Sequence, residues 1–354
     1  MTADPATVAV LLPVRDGAST IAAALASLRA QTFRDFHVFV VDDGSTDATP
    51  EILRAEHARW SGRPGLTVLR LPNGEGIAGA LRAGAEAARG FPFLARQDAD
   101  DVSRPARLEK QMAALADDPT LGLVATDAET VSSRPATNGW KRYEAWQRSC
   151  RTPEEIARGL WIESPLPHPT VLLRRSDYDR AGGYRPGPWP EDYDLWLRLL
   201  LLGVRMAKLP EVLYEWRDHP VRASRTLPAY APEAFLACKA HYLARRLAGR
   251  PVIVWGAGRD GRRTARALRR EGVRLEAFLD IDPRKIGRVA QGAPILSADA
   301  WLETDQPAAA REPSRPAPRP LVLAVVGTAG ARELIRSRLR RAGLEEGPDF
   351  LCLA

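Results

Sequence analysis

The 354-residue sequence is poor in the residues that form metal clusters and disulfide frameworks. It contains only three cysteines, Cys150, Cys238 and Cys352, which lie far apart along the chain. That spacing excludes the closely placed cysteines of a structural zinc site and favours a reducing compartment. The five histidines are equally scattered, so the sequence indicates no histidine-rich metal site.

Long hydrophobic runs are also missing. The longest apolar stretch, residues 195–204, is interrupted by Arg198 and is far shorter than the roughly 20 apolar residues of a membrane-spanning helix. No signal peptide is predicted, because the first seven residues carry Asp4 and no basic side chain before the apolar run Val8–Val14. We therefore expect a cytoplasmic protein.

The composition indicates two folded domains. Hydrophobic residues make up 45% and charged residues 27% of the chain, which excludes disorder as the main state. The length suits two domains, which we place at 1–247 and 248–354. A stretch rich in Pro, Ala and Arg predicts a mobile loop at about 305–320 within the second domain.

The net charge of +7 is unevenly distributed. Residues 250–354 carry 19 basic and 13 acidic side chains, a net charge of +6. This excess is compatible with a solvated basic surface or with a site for a polyanion, including a peripheral contact with the inner face of a membrane. The sequence contains no nucleic-acid-binding motif, and we expect no nucleic acid partner.

Apolar runs alternate with helical spacing in the first hundred residues, which predicts an open, mostly parallel α/β sheet. The predicted strands are Val8–Val14, Phe36–Val41, Leu66–Leu71 and Phe91–Ala95, with His168–Arg174 and Val212–Trp216 later in the chain. Ligands of such sheets bind at the carboxyl ends of the strands. The loops at 13–17, 42–47 and 96–101 should therefore lie along one edge.

Two of these loops are rich in aspartate. Asp98 and Asp100 alternate after a strand and could converge on one hard cation such as Mg²⁺ or Mn²⁺. A carboxylate such as Asp43, before the turn at Gly44, could accept hydrogen bonds from a base or a ribose. A purely structural role in loops and helix caps accounts for each aspartate equally simply at this point.

Five ordered blocks carry a family resemblance. They are VAVLLPVRDGASTIAAALASLRAQTF, VVDDGSTD, ARQDADD, HPTVLLRRSDY with the following GGY, and EDYDLWLRL. This succession, over about two-thirds of the chain, resembles the family 2 glycosyltransferases of the GT-A fold. The resemblance implies transfer of a sugar from a nucleotide-diphosphate sugar to a hydroxyl group of a glycan or lipid-linked acceptor, in cell-envelope or exopolysaccharide synthesis.

The resemblance also implies roles for individual residues. The nucleotide-binding positions would be Pro13, Arg15, Asp43, Arg82 and Asp98. A divalent cation, Mn²⁺ or Mg²⁺, would be held by Asp98, Asp100 and His219. Two positions depart from the common family pattern. In the first loop, Arg15-Asp16 stands where an aromatic residue or Arg followed by Asn is commoner, and Arg82 replaces a frequent Asn.

The acid pair at the start of the last block implies an inverting reaction. Asp192 matches the family's general base, with Glu191 beside it, and Trp189 is a candidate for stacking on the acceptor sugar. From the residues alone, Asp192 is equally a cap for the following helix. A helix start lowers a carboxylate pKa, so a base there needs a dry or acidic setting, which Glu191 and Asp194 could supply.

The C-terminal region contains a second motif. Gly256-x-Gly258-x-x-Gly261 follows a predicted strand and opens a helix, and Asp280 follows at the distance of a ribose-binding acid. The region resembles the small Rossmann-like domain that precedes the acyltransferase domain of some sugar O-acyltransferases. Its length suggests little more than one mononucleotide-binding half. A nucleotide-binding accessory domain, a packing module and an active dehydrogenase all remain open.

Two other functions therefore compete with sugar transfer. An NAD(P)-linked oxidoreductase would work through the Gly256 motif, although the sequence shows no recognisable proton donor for it. A non-catalytic nucleotide-sugar-binding protein would bind a donor at Asp43 without turning it over.

Overall fold

The structure, a computed structural model, describes residues 7–60, 62, 64–132, 135, 137–218, 222–304 and 319–354. The chain divides into two compact units, one of Met1–Ala157 with Ser164–Tyr230 and one of Arg158–Glu163 with Ala231–Ala354. Helix Pro232–Leu247, which the sequence analysis placed in the first domain, thus belongs to the second unit. Most of the loop predicted at 305–320 lies outside the described residues.

The first unit is built on an eight-stranded mixed sheet. The strands are β1 (Val8–Val14), β2 (Phe36–Asp42), β3 (Gly65–Arg70), β4 (Phe93–Arg96), β5 (Val102–Ser103), β6 (Leu121–Ser132), β7 (Leu172–Arg174) and β8 (Arg205–Asp218). They are ordered β3-β2-β1-β4-β7-β6-β8-β5. The first four are parallel, as predicted. Strand β7 runs antiparallel to β4 and β6, and β6 pairs in parallel with β8.

The helices that accompany this sheet follow the predicted alternation. They are α1 (Ile21–Arg29), α2 (Thr49–His57), α3 (Gly76–Ala87), α4 (Arg107–Asp117), α5 (Asn138–Ser149), α6 (Pro153–Gly159), α7 (Arg175–Arg180), α8 (Glu191–Leu201) and α9 (Ala223–Thr226). The central strands β1 and β2 are buried almost throughout, because helices cover both faces of a parallel sheet. Ile21, Leu25 and Leu28 of α1 recur at helical spacing and complete this core.

One predicted strand forms differently. His168–Thr170 is a 3-10 turn, and only Leu172–Arg174 of the predicted segment pairs in the sheet. Pro169 has no N–H group to donate to a strand ladder. The Thr170 hydroxyl donates a hydrogen bond to the Pro167 carbonyl oxygen at 2.8 Å and stabilises the turn.

The second unit has a sheet of its own. Its strands are β9 (Val252–Trp255), β10 (Leu275–Asp280), β11 (Val289–Ala290), β12 (Ala293–Ser297), β13 (Leu321–Ala324) and β14 (Phe350–Cys352), ordered β11-β12-β10-β9-β13-β14. Its helices are α10 (Pro232–Leu247), α11 (Arg259–Arg270), α12 (Ala298–Thr304) and α13 (Ala331–Arg341). All pairings except β11 with β12 are parallel. Counted from β9, the five parallel strands follow the order 3-2-1-4-5 of an open doubly wound sheet, more than the single half expected.

Within the described ranges, none of the helices combines the length and the apolar composition that crossing a membrane requires.

Candidate functional site

Three loops meet at the carboxyl edge of the parallel strands, where the sequence predicted them. The backbone N–H of Asp16 donates to Ser45 Oγ at 2.9 Å, and that of Gly17 donates to Thr49 Oγ1 at 2.9 Å. A Cβ on Gly17 would lie 3.9 Å from the Cβ of Ala99, which places the third loop beside the first. We call these loops, residues 13–17, 42–47 and 96–101, the acidic edge.

Asp43 is buried and organises a neighbouring loop. Its carboxylate accepts hydrogen bonds from the backbone N–H groups of Glu75 at 2.6 Å and Gly76 at 2.9 Å, immediately before and at the start of α3. The following Gly44 has a φ of +76°, and a Cβ there would lie 3.2 Å from the Leu71 carbonyl oxygen. A carboxylate has about four acceptor positions, so Asp43 retains capacity for a ligand.

The other predicted nucleotide-binding residues differ in where they lie and in what they contact. Pro13 lies near the end of β1 in register with Val41 of β2. Arg15 lies over the loop before α3, since a Cβ on Gly74 would be 2.9 Å from its Nη1. Arg82, on α3, is exposed and pairs with Glu75 at 3.3 Å.

Asp98 is held between two arginines. Its Oδ1 lies 2.6 Å from Arg96 Nη2, and its Oδ2 accepts a hydrogen bond from Arg222 Nη2 at 2.9 Å. Arg222 also lies 3.5 Å from Asp101, and its guanidinium stacks 4.8 Å above the Trp216 ring. Asp98 and Asp101 are therefore cross-linked through one cation.

The two carboxylates respond oppositely to this environment. Burial opposes ionisation of Asp98, but Arg96 and Arg222 outweigh it and lower the pKa of Asp98 to about 2. Burial and the adjacent Asp98 charge raise the pKa of Asp101 to about 8. The edge thus keeps a permanent negative charge on Asp98 and resists a second one on Asp101.

The residues present suit a hard divalent cation. Asp98, Asp100 and Asp101 each offer a carboxylate oxygen, and these oxygens lie within 4.8 Å of one another. Oxygen donors are the ligands that Mg²⁺ and Mn²⁺ prefer. Asp100 is half-buried, whereas Asp98 and Asp101 both face Arg222. The predicted ligand His219 lies outside the described residues.

Sequence reasoning missed both arginines. Arg96 ends β4 and is only 2% exposed, and no acceptor in the described part of the chain bonds its Nε and Nη1. A charged residue closing an apolar strand was the available signal. Arg222 gave no local signal, because it follows Asp98 by more than a hundred residues.

We predict that Arg96→Gln lowers the free energy of unfolding by about 3 kcal/mol, because it removes one partner of a buried ion pair. Arg104→Gln is the matched control, since the Arg104 side chain is 40% exposed and pairs with exposed Glu129. We expect the control to cost less than about 1 kcal/mol. Urea denaturation measures both, and equal effects would contradict a buried role for Arg96.

A second polar cluster surrounds the start of α8. Glu191 is buried, and its Oε2 accepts a hydrogen bond from the Tyr230 hydroxyl at 2.6 Å. Its Oε1 lies 3.4 Å from His168 Nδ1, and His168 Nε2 lies 2.9 Å from the Tyr184 hydroxyl oxygen. Burial opposes ionisation of Glu191, but His168 and Tyr230 together lower its pKa.

Asp192 has the setting that a base at a helix start requires. Burial and the negative charge of Glu191 raise the pKa of Asp192 to about 6, against the opposing effect of His168. Its Oδ1 accepts a hydrogen bond from the backbone N–H of Tyr193 at 2.7 Å. Asp194 is instead paired with Arg198 at 2.5 Å. The sequence predicted that Asp194 would help to raise the pKa of Asp192, whereas in the structure burial and Glu191 raise it.

His168 joins this cluster to the acidic edge. The field of its imidazole lowers the pKa of Asp98 and that of Asp192 alike. The Tyr184 hydroxyl likewise interacts with Arg96 on one side and with Asp192 on the other. The two sets of carboxylates therefore share one neighbourhood. Trp189 is half-buried in the loop just before α8.

Comparisons with known proteins show the family of the chain. The sequence profile of "Glycosyl transferase family 2" matches residues 9–182. The amylovoran biosynthesis glycosyltransferase AmsE of Erwinia amylovora is 32% identical over 54% of this chain and 68% of its own length. The glycosyltransferase EpsE of Bacillus subtilis, itself described as putative, is 31% identical over 60% of this chain and 73% of its own length.

A solved structure extends the likeness to the fold. TarS of S. aureus, in complex with UDP-GlcNAc, aligns with 75% of this chain and 71% of its own chain, with a TM-score of 0.54 and 21% identity. That likeness confirms the GT-A expectation for the first sheet, whereas the resemblance of the second unit to sugar O-acyltransferases is not supported by these relatives. The chain therefore belongs to glycosyl transferase family 2 and is a glycosyltransferase of the GT-A fold.

Proposed function

We propose that the protein is an inverting, cation-dependent glycosyltransferase that moves a sugar from a nucleotide-diphosphate sugar to an acceptor hydroxyl. The observation that carries the proposal is the pairing of a permanently charged acidic edge with a carboxylate of raised pKa, both of which interact electrostatically with His168. With a divalent cation bound, the edge would suit the diphosphate end of a donor, and the carboxylate would suit proton removal from an acceptor.

The acidic edge would bind the donor. Asp43 and Arg15 would contact the nucleoside, with Pro13 and Arg82 beside them, because these residues flank the same loops. Asp100, with Asp98 and Asp101, would hold Mn²⁺ or Mg²⁺. When bound, the cation supplies positive charge to the departing diphosphate. Arg222 is a second source of positive charge at the same carboxylates.

Asp192 would act as the general base. A carboxylate with a pKa near 6 is ionised at neutral pH, yet it accepts a proton more readily than an ordinary aspartate. Attack by the deprotonating hydroxyl on the face of the sugar opposite the leaving group inverts the anomeric configuration. Trp189, half-buried just before α8, would contact the acceptor.

Glu191 serves the reaction differently from Asp192. Its two oxygens face Tyr230 and His168, and its pKa is lowered, so Glu191 is a weaker proton acceptor. We assign it as a positioning residue. Its negative charge contributes to the raised pKa of Asp192.

This assignment predicts a pH dependence. The rate should fall about tenfold per pH unit below pH 6, because protonated Asp192 cannot act as a base. Glu191→Gln removes the negative charge that raises the pKa of Asp192, so the acidic limb of the kcat profile should move to lower pH. Because His168 and Tyr230 both contact Glu191, the comparison is made in a His168→Gln background, where the lowering effect of His168 on the pKa of Asp192 is absent from both enzymes. A limb that stays in place or moves to higher pH would contradict the assignment.

The relatives indicate a substrate class. AmsE is named for amylovoran biosynthesis, and TarS was solved with UDP-GlcNAc. Together they support a nucleotide-sugar donor and a glycan or lipid-linked acceptor in the synthesis of a bacterial surface polysaccharide.

The direct test is a thermal-shift screen of UDP-, GDP-, dTDP- and CDP-sugars with Mn²⁺, followed by measurement of nucleoside diphosphate release from each binder. A bound donor raises the melting temperature in proportion to the logarithm of its concentration over Kd. Binding followed by release would support the transferase. Binding without turnover in the presence of any acceptor glycan would favour a non-catalytic nucleotide-sugar-binding protein.

A further inference from the structure

The second unit contains a cavity that sugar transfer by the first unit does not explain. It has a volume of about 450 Å³ and lies beyond the carboxyl ends of β9, β10 and β13. Strand β9 is the first strand of the 3-2-1-4-5 order, and β13 is the fourth. The cavity therefore occupies the point where the strand order reverses, which is the ligand-binding position of open doubly wound sheets.

Two of the three motif glycines meet a steric demand of the fold, and the third borders open space. Gly256 has a φ of +116°, and a Cβ there would lie 2.5 Å from the Val325 carbonyl oxygen. A Cβ on Gly261 would overlap the carbonyl oxygen of Gly256, so this glycine allows α11 to pack against the turn. Gly258 is different, because a Cβ there would meet no atom of the described residues within 4 Å. The absence of a side chain at Gly258 leaves space in the cavity, and it does not relieve a steric clash within the protein.

Asp280 has the geometry of a ribose acceptor. It ends β10, and its Oδ2 accepts hydrogen bonds from the backbone N–H of Ala257 at 2.9 Å and from Lys285 Nζ at 3.0 Å. Its Oδ1 accepts from the backbone N–H of Asp282 at 3.0 Å. Three donors fill three of about four acceptor positions on a carboxylate. With these donors of the described residues in place, one acceptor position of Asp280 remains for a ligand. The backbone N–H of Ala257 in the glycine-rich turn holds this carboxylate in place.

The rest of the lining suits a base and phosphates. Ile281 follows Asp280 and is 63% exposed, and Leu334 of α13 is 58% exposed; both line the cavity. Exposed branched aliphatic side chains beside a polar turn offer an apolar surface for a ring. The charged lining consists of three cations and two carboxylates, Arg259, Lys285, Arg338, Asp260 and Asp280. Arg259 pairs with Asp260 and Lys285 pairs with Asp280, so the attraction for an anion comes from the backbone N–H groups at the N-terminus of α11.

Arg338 lies on the side of the cavity next to β13 and α13. Its guanidinium lies 5.5 Å from the centroid of the Trp255 ring and is paired with Asp299. Arg338 and Leu334 both line this part of the cavity. A second nucleotide of a dinucleotide would extend towards these strands, whereas one nucleoside with its phosphates needs only the turn, Asp280 and Ile281.

We propose that the second unit binds a nucleoside diphosphate, with the diphosphate against the Gly256–Gly261 turn, the ribose at Asp280 and the base against Ile281. This site is distinct from the donor site of the first unit and does not depend on it. The ligand class follows from the position of the cavity, the glycine-rich turn and Asp280, which together recognise the ribose diphosphate that ADP, UDP, GDP and CDP share.

The test uses the full chain in EDTA, which disables cation-dependent binding by the first unit. Isothermal titration with ADP, UDP, GDP and CDP should detect a diphosphate that binds, and Gly258→Val should weaken that binding at least tenfold. The φ of Gly258 is −80°, and open space surrounds its Cα, so valine should fold normally and project into the cavity. Gly90→Val is the matched control, since Gly90 is also surrounded by open space and lies in the first unit.

A second variant, a turnover measurement and a comparison with NAD⁺ also test the proposed site. Lys285→Gln should also weaken binding, because Lys285 lines the cavity beside Asp280. Gly258→Val should retain the cation-dependent donor turnover of the wild type, which separates this site from the proposed transferase site. Failure of all four diphosphates to bind at millimolar concentration, or equal binding by wild type and Gly258→Val, would overturn the proposal. Tenfold tighter binding of NAD⁺ than of any diphosphate would overturn it in favour of a dinucleotide.

Discussion

Replacing Asp192 by asparagine should lower the rate of sugar transfer by roughly 10²–10⁴-fold, the usual contribution of a general base. Asparagine has the same shape and can still accept the hydrogen bond from the backbone N–H of Tyr193, so the start of α8 should be preserved. It cannot accept the acceptor proton. The affinity for the nucleotide sugar should be unchanged, because the proposed donor site is the acidic edge.

Steady-state release of nucleoside diphosphate and calorimetric donor binding measure the two quantities separately. Asp179→Asn is the control, since Asp179 is an exposed aspartate of α7 paired with Arg175. It should leave both quantities at the wild-type level. Unchanged turnover in Asp192→Asn would remove Asp192 from the mechanism, and a parallel loss of donor affinity would place it in the donor site instead.

Replacing Asp100 by asparagine should lower turnover on the order of 10²–10³-fold, because it weakens the oxygen cluster that would hold the cation against the leaving diphosphate. The Mn²⁺ concentration for half-maximal activity should rise at the same time. Asp98 and Asp101 remain as ligands but also pair with Arg222, so they should compensate only in part.

The readout for Asp100 is a Mn²⁺ titration of turnover and of donor binding, with removal of the cation by EDTA as a reference. Asp118→Asn serves as the control, because the Asp118 side chain is 39% exposed and pairs with Arg205. An Asp100→Asn enzyme with the wild-type Mn²⁺ dependence would show that Asp100 is not a ligand. Full activity of the wild type in EDTA would show that the reaction does not depend on a divalent cation.

The sequence was informative where the chain folds locally. The runs Val8–Val14 and Phe36–Asp42 are continuously apolar because parallel strands are buried on both faces, and this property is visible without any partner. The loops that follow parallel strands must emerge at one edge. The positions of Asp43 and Asp98 at that edge could therefore be predicted before their neighbours were known.

The electrostatic partners could not be predicted, because they come from distant parts of the chain. Arg222 reaches Asp98 and Asp101 from beyond β8, and Tyr230 reaches Glu191 from beyond α9. Neither residue lies in a periodic pattern or in a matched block. The raised pKa of Asp192 depends on its burial and on Glu191, so only its need for such a setting was evident from the sequence.

The extent of the second sheet was also underestimated. Strands β12 and β14 are short, at five and three residues, and short segments carry little periodicity. Their pairing with β10 and β13 completes the 3-2-1-4-5 order and creates the reversal point beside Gly256. The glycine motif was visible in the sequence, whereas the cavity above it was not.

The anomeric configuration of the product tests the central account most directly. A nucleotide sugar with an α-linked diphosphate should be supplied with Mn²⁺ and an acceptor glycan, and the anomeric proton of the new linkage observed by NMR. A base that faces the sugar opposite the acidic edge requires a β-linked product. An α-linked product would mean that the leaving group and the acceptor occupy the same face, which contradicts the role given to Asp192.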